Sequence, residues 1–82
     1  MHVASGIAWQ VIDGEAFLVD LDSGRSLGLN ATGTLVWTSL DEDLEDIVSK
    51  VTAEFGVAYD EAKRDITQFI EVLKKRGLVK AD

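Results

Sequence analysis

Residues 25–37 read Arg25-Ser26-Leu27-Gly28-Leu29-Asn30-Ala31-Thr32-Gly33-Thr34-Leu35-Val36-Trp37, and the fold is decided within them. Up to Leu29 the apolar residues alternate, which sets Leu27 and Leu29 on one face of an extended strand. From Asn30 onward the period becomes helical. Asn30 suits an N-cap, because its side chain can accept from a backbone N–H of the first turn, and Leu35, Val36 and Trp37 follow in a short helix expected to reach Leu40. Thr32, Gly33 and Thr34 weaken the first turn of that helix, so tertiary burial has to hold it.

Upstream, Ile7, Trp9 and Val11 share one face of a strand, and Phe17, Val19 and Leu21 alternate in the next. Asp13-Gly14 joins them, a pair that tolerates positive φ and so favours a tight hairpin; Asp22-Ser23-Gly24 supplies the second turn. These features predict a three-stranded antiparallel β-meander with strands near 7–12, 16–21 and 25–29. Downstream, a second helix begins in Asp41-Glu42-Asp43, aligns Leu44, Ile47, Val48, Val51 and Phe55 in one stripe, and ends at Gly56. The third helix, Tyr59 to Arg76, presents Ala62, Ile66, Phe69, Ile70 and Leu73 and stops at Gly77, with Leu78 placed for a Schellman contact. Acids open both helices and Lys74, Lys75 and Arg76 close the third, as the helix dipole favours. The expected architecture is α+β: one domain over residues 1–82, a three-stranded meander followed by three helices on one core. It is also winged helix-turn-helix-like, with the wing placed N-terminally.

Composition narrows the function. The chain has 82 residues, 15 Asp plus Glu against 8 Lys plus Arg, a formal net charge of −7 and 46% hydrophobic residues. With no Cys there is no thiolate metal site, no disulfide framework and no cysteine nucleophile. The only imidazole is His2, beside a terminus expected to fray, so neither a serine triad nor a histidine metal site has its parts. Gly24, Gly28 and Gly33 lack the spacing and the following Lys-Ser/Thr of a phosphate loop. Asp20-Leu21-Asp22-Ser23-Gly24 starts like a calcium loop, but its Gly comes one place early and Ala31 stands where the closing Glu belongs. Asp41, Glu42, Asp43, Glu45 and Asp46 serve the helix dipole and solubility. A phosphopantetheine carrier, also short and acidic, would need its attachment serine at a helix start, whereas Ser23 lies between two strands. No enzyme, cofactor or metal is therefore expected.

No run of ~18 apolar residues and no basic stretch before an apolar one is present, which points to a cytoplasmic protein without membrane contact. A winged-helix DNA-binding regulator is the alternative reading. It would read DNA with the third helix, whose opening Asp60, Glu61 and Asp65 repel phosphate, so nucleic acid is not expected as a partner.

The feature left for binding is the third strand, Arg25-Ser26-Leu27-Gly28-Leu29. It is a sheet edge with a single charge, no Pro and no Lys to block pairing. Such an edge is covered by the protein's own helix or by a second copy, or it accepts an extended peptide as an added strand, with flanking pockets choosing the sequence.

At this point the residues resemble the PqqD family, the precursor-peptide recognition elements of ribosomal peptide natural-product pathways. The likeness runs from the hairpin through Leu29-Asn30-x-Thr-Gly-x-Leu-Val-Trp, Leu40-Asp41, Ile47-Val48, Phe55-Gly56-Val57, Asp65-Ile66, Phe69-Ile70 and Leu73 to Gly77-Leu78-Val79. It covers nearly the whole chain. The resemblance implies three strands then three helices, no catalysis, and binding of the leader segment of a precursor peptide in the cleft between strand 3 and helix 3. It implies presentation of that peptide to a maturation enzyme such as a leader peptidase or a radical enzyme. Carried onto this sequence, the peptide-binding residues are Arg25, Ser26, Leu27, Gly28 and Leu29 on the strand and Asp65, Phe69, Val72 and Arg76 on the helix. Members acting in pyrroloquinoline quinone synthesis usually carry a Pro-Glu-Gly-like segment where this chain reads Leu21-Asp22-Ser23-Gly24. Lasso-type and other modified-peptide pathways stay open on that count, and the open edge admits either a monomer or a dimer.

Overall fold

The computed structural model describes residues 1–81. Its elements are β1 (His2–Val3), β2 (Ile7–Ile12), β3 (Glu15–Asp20), β4 (Ser26–Gly28), α1 (Ala31–Thr38), α2 (Leu44–Phe55), α3 (Tyr59–Lys75) and β5 (Val79–Lys80). Strands β2, β3 and β4 form the expected antiparallel meander in that order, and β1 pairs with β5 in a separate two-stranded ribbon. Asp13 and Gly14 both take positive φ, 52° and 78°, as a two-residue primed turn requires. The next turn is tied by the Asp20 carboxylate, which accepts the Asp22 N–H at 2.9 Å and the Ser23 N–H at 3.4 Å. Those bonds, the Asp22 one foremost, hold the Asp20 carboxyl below its usual range.

The helices begin and end for local reasons. Asn30 caps α1 through its side-chain oxygen, which accepts the Gly33 N–H at 2.8 Å. The weak first turn is held from outside: Gly33 and Thr34 are buried, and the Thr34 hydroxyl accepts the Ala16 N–H of β3 at 2.8 Å. That bond finishes the β3 ladder at the point where the chain leaves β4 for the helix. At the end of α3, Leu78 N–H donates to Leu73 C=O at 2.9 Å and Gly77 N–H to Lys74 C=O at 3.0 Å, with Gly77 at φ 74°. This is the Schellman pattern, and it seats Leu78 against the core. Between α2 and α3, Tyr59 O–H donates to Glu45, which also pairs with Lys63 at 3.1 Å.

The core joins Leu18 of β3 and Leu29 to Val36, Trp37 and Leu40, to Ile47, Val48 and Val51 of α2, and to Ile66, Ile70 and Leu73 of α3. Trp37 is 2% exposed and meets Trp9 edge to face, ring centroids 6.1 Å apart.

Three expectations need correction. The N-terminus does not fray: His2↔Lys80 and Val3↔Val79 are paired, and Ala4 N–H donates to Leu78 C=O at 2.9 Å. The second strand turns the other way about: Ala16 and Leu18 face the core, while Phe17, Val19 and Leu21 are 48%, 36% and 66% exposed. Residues 16–19 are apolar on both faces, so alternation cannot choose between them. The approach of α1, whose Thr34 bonds Ala16, leaves room there for a methyl group and not a phenyl ring. Phe55, expected on the buried stripe of α2, is 38% exposed at the helix end.

Candidate functional site

The free edge of β4 can be read group by group. Asp20 N–H donates to Arg25 C=O at 2.8 Å and Leu29 N–H to Ala16 C=O at 2.8 Å, bracketing the pairs Val19↔Ser26, Leu18↔Leu27 and Phe17↔Gly28. Antiparallel strands alternate hydrogen-bonded and non-bonded pairs, so residues 25, 27 and 29 turn their polar backbone groups toward β3. Ser26 and Gly28 therefore turn their N–H and C=O outward, unused by the sheet. Of the five strand residues expected at the site, these two carry the open backbone groups.

Beside that edge a groove of about 370 Å³ separates β4 from the C-terminal half of α3. It is lined by Leu27 and Gly28 of the strand with Leu29 just beyond it, and by Asp65, Ile66, Phe69, Val72 and Leu73 of α3 with its C-cap Arg76. The start of α1 closes it with Asn30, Thr32, Gly33 and Val36. A second hollow of about 270 Å³ continues past Leu27 and Arg76, which line both, to Arg25, Ser26, Leu18, Asp20 and Leu78. Every residue expected at the site thus borders one of two adjoining hollows, Arg25 and Ser26 only the second.

Their exposures divide the work. Leu29, Ile66 and Leu73 are buried and form the floor; Leu27 and Phe69 are half-buried walls. Val72, off the main stripe of α3, is 47% exposed on the rim. An apolar side chain held there has no packing role in the core. Gly33 sets the depth, since a Cβ at that position would lie 3.3 Å from the Phe69 ring and 3.3 Å from Asn30 Oδ1. Sequence reasoning missed Gly33, Asn30 and Thr32 because the angle between β4 and α1, which no local pattern reports, brings them to the groove. Ile66 and Leu73 were legible by spacing, three and four residues either side of Phe69, but stood only as core.

Nothing among the described residues assembles three or more His, Cys, Asp or Glu side chains into a metal site, and no helix is long and apolar enough to cross a membrane. The opening of α3 presents Asp60, Glu61 and Asp65 to solvent, which disfavours a phosphate backbone there.

The family model described as coenzyme PQQ synthesis protein D (PqqD) matches residues 15–79. Among solved structures, TbiB1 in complex with the TbiA(beta) leader peptide is similar at 30% identity with a TM-score of 0.88, over 100% of both chains. Lasso peptide synthetase B1 complexed with the leader peptide is similar at 27% identity and a TM-score of 0.89, over 98% of this chain and 96% of that one. No curated protein matches the chain.

Proposed function

The chain belongs to the PqqD family, and from that premise we propose that it captures the leader segment of a ribosomally made precursor peptide by β-strand addition and presents it to a separate maturation enzyme. The peptide adds to the outward edge of β4 and lies between that strand and α3. Arg25, Ser26, Leu27, Gly28 and Leu29 supply the strand side of the site, and Asp65, Phe69, Val72 and Arg76 the helix side. The observation that carries this reading is the unused N–H and C=O of Ser26 and Gly28 opening onto an apolar groove. The two similar structures, each holding a leader peptide, support it. The second of them, a lasso peptide synthetase B1, also favours a lasso-type pathway. The domain itself does no chemistry and works in the cytoplasm.

Magnitudes assign the roles of edge and groove. Four hydrogen bonds from Ser26 and Gly28 contribute about 1 kcal/mol each. Association costs ~4 to 15 kcal/mol, so backbone pairing alone does not hold a peptide. Each leader side chain buried in the groove adds ~1.5 to 3 kcal/mol, and two or three of them decide affinity. The edge gives register, and the groove gives strength and choice.

A ribosomally made candidate precursor peptide supplies the test. Its leader is expected to shift the amide NMR signals of residues 25–30 and of α3 on titration. Shifts confined to the acidic segment 41–46 would overturn the reading. Val72→Glu is expected to weaken binding at least tenfold with an unchanged fold, because it places a charge on an apolar rim.

A further inference from the structure

The second hollow has a chemistry that the apolar groove lacks. Its floor is apolar, formed by Leu18, Leu27 and Leu78, and its rim carries Asp20, Arg25 and Arg76. Although acids outnumber bases fifteen to eight in the chain, neither arginine is held in an ion pair among the described residues. The one acid on the rim is already engaged, since the Asp20 carboxylate is turned into the hairpin toward the N–H groups of Asp22 and Ser23. A leucine floor beneath two guanidinium groups, of which Arg25 feels Asp20 only as a minor attraction without a contact ion pair, fits a side chain with an apolar stem and an anionic end.

Resting on strand addition at β4, we infer that this hollow is a subsite for a glutamate of the bound peptide, its methylenes on the leucines and its carboxylate between Arg25 and Arg76. The register sets where that glutamate falls. A strand bonded to the outward groups of Ser26 and Gly28 directs the residues opposite Arg25, Leu27 and Leu29 to the α3 side, and its other residues to the far face of the sheet. Inward side chains recur every second residue, about 6.8 Å apart. Because the two hollows adjoin at Leu27 and Arg76, the glutamate lies two residues from the apolar side chain that fills the groove. Guanidinium pairs with carboxylate in bidentate geometry, so the site separates Glu from Gln more sharply than a lysine pair would.

A positional library of fluorescein-labelled 15-residue peptides tests this, each site carrying Glu, Gln, Lys or an apolar residue in turn. The expected result is selection of Glu two residues from an apolar anchor, with Glu→Gln at that position weakening binding about tenfold. That Glu-to-Gln ratio should fall toward one in the Arg25→Gln/Arg76→Gln protein and invert in favour of Lys in Arg25→Glu/Arg76→Glu. Should either double variant fail to fold, the single variants carry the same ratio at smaller amplitude. Tight peptides with no Glu preference, or a preference that the arginine variants leave unchanged, would overturn the subsite while strand capture stands. Failure of every peptide to bind would overturn capture, and the subsite with it.

Discussion

Gly33 shows how a single residue can serve both fold and site. It sits in the first turn of α1, where glycine weakens a helix by ~1 kcal/mol relative to alanine, yet an added Cβ would stand 3.3 Å from both the Phe69 ring and the capping oxygen of Asn30. Gly33→Ala therefore sets a propensity gain of about 1 kcal/mol against crowding of ~1 to 3 kcal/mol. The expected net loss of stability is about 1 kcal/mol in a urea titration. The larger effect falls on leader affinity, because Phe69 relieves the crowding by moving into the groove. Unchanged affinity would show that the ring has room elsewhere. Val72 makes a complementary case: its position off the stripe was readable from spacing, and the structure sets it 47% exposed on the rim.

At the scale of the element, β4 is three residues long and its two sides do different jobs. Proline lacks an N–H, so it is tolerated on an edge strand only where that group points away from the sheet. Ser26→Pro is expected to keep the fold within about 1 kcal/mol and to weaken leader binding at least tenfold, since it removes an outward donor and crowds the incoming strand. Leu27→Pro removes a donor to β3 and is expected to cost ~3 kcal/mol of stability. Comparable stability losses in the two variants would contradict the register. The sequence made the existence of this strand legible through Leu27 and Leu29, and its end through Asn30. It left open which backbone groups stay free, because that depends on pairing with β3.

For the whole molecule, the two chain ends act as one fastening. A domain of 82 residues buries only ~60% of its unfolded surface and is marginally stable. The β1–β5 ribbon and the Ala4 to Leu78 hydrogen bond add to a small total. Removing residues 1–4 is expected to cost about 2 to 3 kcal/mol, which for a domain of this size lowers Tm by roughly 8 to 24 °C. Leader affinity should fall as well, since Leu78 belongs to the floor of the second hollow. A Tm within 2 °C of the parent would show that the ribbon is incidental.

What the sequence determined by itself were the three strands of the meander, the three helices and their order. The change of period at Asn30, the Asp13-Gly14 turn and the glycines ending α2 and α3 act through backbone conformation and near-neighbour hydrogen bonds, which a local pattern encodes. The absence of Cys and the single His likewise leave the open strand edge as the feature available for binding. Only the tertiary structure decided which face of β3 is buried, that the N-terminus is paired, and that Gly33 and Leu78 reach the site. Each of those depends on partners far apart in the chain: α1 against β3, β1 against β5, and β4 against α3. Where residues 16–19 are apolar on both faces, alternation is silent, and the helix packed above them makes the choice.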